Sequence, residues 1–130
     1  MKLRTVAAVL AVMGSLAGGT ASAGAPACYP YNGTGYCQYT GKATRVYINS
    51  GGEILLYFDT AMPAGAPSSA GISGVSNFSA TIFPMVQSPD YAKAMYATLL
   101  AAQARGATIE VQMWGTHGGY MKLDRVWINE

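Results

Sequence analysis

A mainly β domain with one helix, α+β in class, is what this sequence predicts, and three observations predict it. Five short segments rich in Val, Ile, Tyr and Phe are bounded by Gly, Pro and Asn, the punctuation of strands. One longer stretch, Pro89–Arg105, changes to helical spacing and carries start and stop signals. That stretch falls between the third and fourth strands, so the element order is β-β-β-α-β-β.

Residues 1–23 are set apart from this domain. Lys2 and Arg4 precede an almost wholly apolar run, and Ala21-Ser22-Ala23 supplies the small residues a signal peptidase reads. The apolar run is too short to cross a bilayer and breaks at Gly18-Gly19-Thr20, so no membrane span is expected after cleavage. The chain is therefore expected to be secreted or periplasmic, with residues 24–130 as one domain of typical size.

Removing the leader also removes the charge. The full chain has a formal net charge of +2 at pH 7. Beyond residue 23, Lys42, Arg45, Lys93, Arg105, Lys122 and Arg125 balance Glu53, Asp59, Asp90, Glu110, Asp124 and Glu130. Nucleic-acid binders neutralise phosphates with clustered Lys and Arg, and no such cluster exists here. An anionic membrane surface is disfavoured for the same reason.

Cys28 and Cys37 are the only cysteines. In an oxidising compartment a pair is most simply a disulfide. It would close a short N-terminal loop, Tyr29-Pro30-Tyr31-Asn32-Gly33, and contribute about 2–3 kcal/mol by chain entropy. A metal site is a poor alternative, because His117 is the only histidine and no CxxC spacing occurs.

The first strand is predicted over residues 40–49, where Val46, Tyr47 and Ile48 favour extended backbone. Asn49-Ser50-Gly51-Gly52 turns the chain into a second strand over 54–59, apolar on both faces and hence buried or at an interface. Residues 60–77 lose all periodicity and read as a long loop held partly extended by Pro63 and Pro67. The third strand covers 78–83 and stops at Pro84. The fourth, over 108–114, has the cleanest alternation, with Ile109, Val111 and Met113 facing one way. Gly115-Thr116-His117-Gly118-Gly119 turns it into the fifth, Tyr120–Asn129, whose alternation slips near Asp124-Arg125 and predicts a bulge.

The helix is predicted over Pro89–Arg105. Ser88 is placed to cap it, Pro89 suits the first position and Asp90 lies against the positive end of the dipole. Arg105 falls in the last turn and Gly106 just beyond. Tyr91, Ala92, Met95, Tyr96, Leu99, Leu100 and Ala102 share one half of the wheel, which predicts the face laid on the sheet. On the other half, Ala94, Ala97, Thr98 and Ala101 are candidate oligomer contacts, since small residues let a second backbone approach. Alanine's helix propensity accounts for the same face without any partner. Five strands with a helix after the third is the arrangement of an OB-fold, a small Greek-key barrel, here with the helix over its open end; a plain α+β sandwich would read much the same.

No enzyme is predicted. His117 is the only imidazole and sits in a Gly-rich turn, no GxSxG occurs, and no close carboxylate pair suggests glycoside hydrolysis. The glycines lack the spacing of phosphate loops, so no cofactor is expected. Aromatics are the richer resource. Tyr29, Tyr31, Tyr36 and Tyr39 crowd the cysteine segment, and Trp114 and Trp127 lie on the last two strands. A ring with a polar tip suits the C–H faces and hydroxyl edges of sugars. Tyr29, Tyr31, Tyr36 and Trp114 are the candidate ligand-binding residues, and Trp127 is expected to be structural. The sequons Asn32-Gly33-Thr34 and Asn77-Phe78-Ser79 carry little weight.

Two stretches resemble a known group. Gly41-Lys42-Ala43-Thr44-Arg45-Val46-Tyr47-Ile48 is one. The other runs from Tyr91-Ala92-Lys93-Ala94-Met95-Tyr96 through Gln103-Ala104-Arg105-Gly106-Ala107-Thr108-Ile109-Glu110-Val111. Both are similar to the B subunits of bacterial AB toxins, particularly the subtilase-cytotoxin and typhoid-toxin group. The resemblance implies an OB-fold protomer, a homo-oligomeric ring of five, and a cell-surface glycan or receptor as partner. No site residue is carried over from it. The alternative function is a small periplasmic or envelope accessory protein acting through protein contacts.

Overall fold

The computed structural model describes residues 24–129; the expected leader and Glu130 lie outside them. The strands are β1 (Ala27–Tyr31), β2 (Thr34–Lys42), β3 (Val46–Ile48), β4 (Glu53–Tyr57), β5 (Ala80–Pro84), β6 (Thr108–His117) and β7 (Tyr120–Asn129). A single-turn helix, α1 (Ala66–Ser69), precedes β5, and the main helix, α2 (Pro89–Arg105), follows it. The fold is thus mainly β with one main helix, as the sequence predicts. All strands join one sheet in the order β1-β2-β6-β7-β5-β4-β3. Every neighbouring pair is antiparallel except β5 with β7.

The predicted five strands are corrected to seven, for two separate reasons. The N-terminal segment expected as a loop is a hairpin. Asn32 and Gly33 have φ of 45° and 76°, and this pair of left-handed residues makes the two-residue turn that matches strand twist. Cys28 and Cys37 then lie directly opposite each other and form the predicted disulfide.

The predicted strand over 40–49 is also broken, at Ala43-Thr44-Arg45. Tyr39, fully buried, bends its ring back so that its hydroxyl donates to the Lys42 carbonyl at 3.0 Å and accepts from the Asp59 N–H at 3.2 Å. Asp59 Oδ2 in turn accepts the Lys42 N–H at 3.0 Å. A Cβ on Gly41 would collide with this Tyr39 hydroxyl. The corner therefore needs a glycine, a tyrosine and an aspartate from two distant places in the sequence.

The loop over 60–77 holds α1, which sequence periodicity does not reveal because one turn is too short to show it. Gly35 lets this segment close on β2, since a Cβ there would strike the Ala70 carbonyl. The third strand runs over Ala80–Pro84 rather than 78–83, and all five of its residues are buried.

Helix α2 has the predicted bounds. Gly106, with φ 60°, closes it in the left-handed conformation. Ser88 stands at the N-cap position but its side chain makes no capping bond; its carbonyl accepts the Ala92 N–H at 2.9 Å. The predicted buried half is narrower in fact. Ala92, Met95, Leu99 and Ala102 are buried, whereas Tyr91 and Leu100 are exposed. Tyr91 lies across the rim instead, its ring against Phe83 and its hydroxyl donating to the Asp124 carbonyl. Burial there, then the nearby Asp124 charge, pushes its pKa up. At the other end Lys42 Nζ donates to the Gly106 carbonyl at 2.7 Å, a cation on the negative end of the dipole.

One apolar cluster fills the space between helix and sheet. Ile109, Val111 and Met113 of β6 meet Met121 and Leu123 of β7, Ile54 and Leu56 of β4, and the helix residues Met95 and Leu99. The alternation read from the sequence of β6 is the inward set of this core. The predicted slip in β7 is present: Gln112 pairs with Arg125 and Met113 with Leu123, which leaves Asp124 as the extra residue.

Candidate functional site

The inward faces of β1, β2 and β6 fix what their outward faces present. Cys37, Tyr39 and Met113 are fully buried, so alternation turns Tyr36, Gln38, Gln112 and Trp114 outward. The register then aligns three rings across three strands. Tyr29 pairs with Tyr36, and Tyr36 pairs with Trp114. Tyr36 and Trp114 stack with centroids 4.9 Å apart and planes 20° from parallel. Tyr29 tilts against Tyr36 at 5.4 Å. Tyr31, at the end of the hairpin, meets Trp114 edge-on at 5.7 Å.

The four residues singled out in the sequence, Tyr29, Tyr31, Tyr36 and Trp114, thus form one aromatic surface. Tyr29 and Tyr31 are 46% and 54% exposed, while Tyr36 and Trp114 are half-buried beneath them. Between the Met113–Leu123 and Thr116–Met121 pairs, β6 contributes two residues and β7 one. Gly115, with φ 72°, absorbs this bulge just beyond Trp114 and interrupts the regular pairing, which resumes at Thr116. Beside Tyr31 the hairpin tip and α1 enclose an open depression of about 370 Å³, lined by Asn32, Thr34 and Ser69 among others.

Sequence reasoning missed the polar half of this surface. Gln38 and Gln112 form the next row, with Gln38 Nε2 donating to Glu110 Oε1 at 2.6 Å and Trp114 Nε1 donating to Gln112 Oε1 at 3.3 Å. Beyond it, Trp127 pairs with Glu110 and is 42% exposed. The expectation that Trp127 is structural is therefore corrected: it lies outside the core because the Asp124 bulge turns Val126 and Ile128 inward in its place. Strict alternation past the bulge was the signal that could have placed it outside.

Tyr39, counted with the N-terminal tyrosines by sequence, belongs to the corner and not to this surface. Burial, with the neighbouring Asp59 charge adding to it, raises its pKa from 10.0 to about 12. On α2, Ala94, Ala97 and Ala101 are exposed and Thr98 is half-buried, its hydroxyl donating back to the Ala94 carbonyl at 2.8 Å. These four share the side of the helix turned from the core. His117 ends β6, with Nε2 3.5 Å from Glu53 Oε1. Among the described residues no group of His, Cys, Asp or Glu is gathered to hold a metal, and no helix is long and apolar enough to cross a membrane.

No protein-family model, curated protein or solved structure matches this chain.

Proposed function

We propose that this chain is an exported, non-catalytic binding module whose aromatic surface takes the face of a sugar ring. One observation carries the reading: β1, β2 and β6 bring Tyr29, Tyr36 and Trp114 into register on an exposed face, with Tyr31 alongside. The exposed rings of Tyr29 and Tyr31, backed by Tyr36 and Trp114, offer apolar area for C–H faces. Gln38, Gln112 and the tyrosine hydroxyls supply the edge partners that hydroxyls need. The Cys28–Cys37 disulfide supports export, since such bonds persist in oxidising compartments.

The barrel reading belongs with this proposal. Three residues separate β2 from β3, yet β2 pairs with β6 while β3 pairs with β4. Taken as one strand bent at the Tyr39–Asp59 corner, β2–β3 links the strand next to one edge of the sheet with the strand at the other edge, as closure into an OB-like barrel would require. The parallel β5–β7 contact and the helix between β5 and β6 support the same topology. The outward alanines of α2 then suit a neighbour-facing surface in a ring of copies.

An array of neutral glycans, read with the wild-type chain and with Trp114→Ala and Tyr31→Ala, tests the site. Each substitution is expected to weaken the bound glycan about tenfold, the worth of one well-placed ring. Light scattering on the wild type and on Ala97→Glu tests the assembly, with a fall to protomer mass expected for the variant. A chain that ignores every glycan while capturing one envelope protein, unaffected by sugar, replaces this reading with that of an accessory protein.

A further inference from the structure

A second depression, of about 420 Å³, lies on the outward face of β3, β4 and β5, away from the aromatic surface. Its floor is unusual for an outward face. Leu55 and Ile82 point away from the main core yet are 5% and 2% exposed, and with Ala80 they form a separate apolar cluster. Tyr57 and Tyr120 pack against that cluster as walls, and Tyr47 lines the outer side.

The two ends carry opposite charge. At one, the Arg45 guanidinium lies over the Tyr57 ring, 4.2 Å from its centroid, and has no acidic partner among the described residues. The ring contact holds the guanidinium at this end of the groove, and Arg45 is exposed, which leaves a planar group with forked N–H donors able to grip a planar or tetrahedral anion through two bonds. At the other end Glu53 is held in place. Its Oε2 accepts from Asn49 Nδ2 at 3.0 Å, its N–H donates to Asn49 Oδ1 at 3.2 Å, and His117 approaches its Oε1. Glu53 and Tyr57 are four residues apart on one strand, so the ends are about 13 Å apart. A fixed carboxylate is an acceptor for hydroxyls, and an oriented, unpaired guanidinium is a donor for an anion.

We propose that this groove is a second ligand site, for a sugar ring bearing an anionic substituent, either a carboxylate or a sulfate ester. The anion sits on Arg45, the ring lies over Leu55 and Ile82 between Tyr57 and Tyr120, and its hydroxyls donate to Glu53. The volume falls within the range of small-ligand sites. The inference extends the sugar-binding reading but uses none of the residues of the aromatic surface, so the two can fail separately.

Titration of the purified chain, followed by amide chemical shifts, tests it with glucuronate, galactose 6-sulfate, glucose, acetate and inorganic sulfate. Glucuronate or galactose 6-sulfate is expected to move the β3–β4 amides, and which of them binds tells carboxylate from sulfate. Glucose is expected to bind at least about tenfold more weakly there, as is each free anion. Arg45→Gln is expected to lose about tenfold or more. Arg45→Lys is expected to recover only part of this, because an ammonium cannot fork. Trp114→Ala is expected to change nothing in this groove, and Arg45→Gln nothing at the aromatic surface. The proposal is overturned if glucose binds as well as the anionic sugars, if acetate or sulfate alone binds as tightly, if Arg45→Gln binds unchanged with an unchanged melting temperature, or if no anionic sugar shifts these amides.

Discussion

The outward face of β1–β2–β6 and that of β3–β4–β5 both carry tyrosines, but their rings rest on different things. On the first, aromatic rings rest on one another, and the outermost, Tyr29 and Tyr31, are about half exposed. On the second, Tyr57 and Tyr120 rest on Leu55, Ala80 and Ile82, which are nearly inaccessible. None of the four rings of the first belongs to an apolar cluster. The second is a small core of its own, closed by rings whose remaining edges border a groove. A side chain that seals apolar area contributes to stability whether or not a ligand exists. A side chain that stacks on other exposed rings seals no such area, and this is the contrast on which the proposed sugar site rests.

The largest test of that contrast is truncation of the groove floor. Leu55→Ala and Ile82→Ala are each expected to cost about 2–4 kcal/mol in urea unfolding, because transfer and cavity terms add at a closed site. Trp114→Ala is expected to cost about 1 kcal/mol, mainly the lost stacking. Equal costs would erase the distinction between the two faces.

Next comes the disulfide, which ties only the first face. Cys28→Ser combined with Cys37→Ser removes a cross-link between residues 9 apart, with an expected loss of about 2–3 kcal/mol. Hydrogen exchange is expected to show β1 amides losing protection while β4 and β5 amides keep theirs. Uniform loss throughout the sheet would mean that the two faces fold as one unit.

The third test addresses the corner that joins them. Tyr39 ionises near 10.0 in the unfolded chain and near about 12 when folded. Its contribution is therefore complete below pH 10 and falls as the pH rises toward about 12, by about 2 kcal/mol over the window. Tyr39→Phe is expected to flatten that part of the stability profile and to cost about 1–2 kcal/mol at neutral pH, since the Lys42 carbonyl and Asp59 N–H lose their partner. A variant that keeps the wild-type slope between pH 10 and 12 would remove Tyr39 from this role.

The parts of this fold readable in advance are those whose signals lie within one element. The bounds of α2 follow from Pro89 and Gly106, the inward set of β6 from its alternation, and the slip at Asp124 from its interruption. The hairpin has a local signal too, Asn32-Gly33 between alternating aromatics, which the short loop implied by the cysteine spacing masks. The break after Lys42 was not readable, because its cause is Asp59, far along the chain. Arg45 and Tyr57 likewise become neighbours only through the pairing of β3 with β4.

By itself the sequence determined the main helix, the inward set of β6, the disulfide partners and the stock of rings, since each depends on residues a few positions apart. Tertiary structure alone decided which rings share a face. Burial of Cys37, Tyr39, Val111 and Met113 sets the register of β2 against β6, and a shift of one residue would turn Tyr36 and Trp114 inward. That register is a contest over apolar area between distant strands, and no local pattern records its outcome.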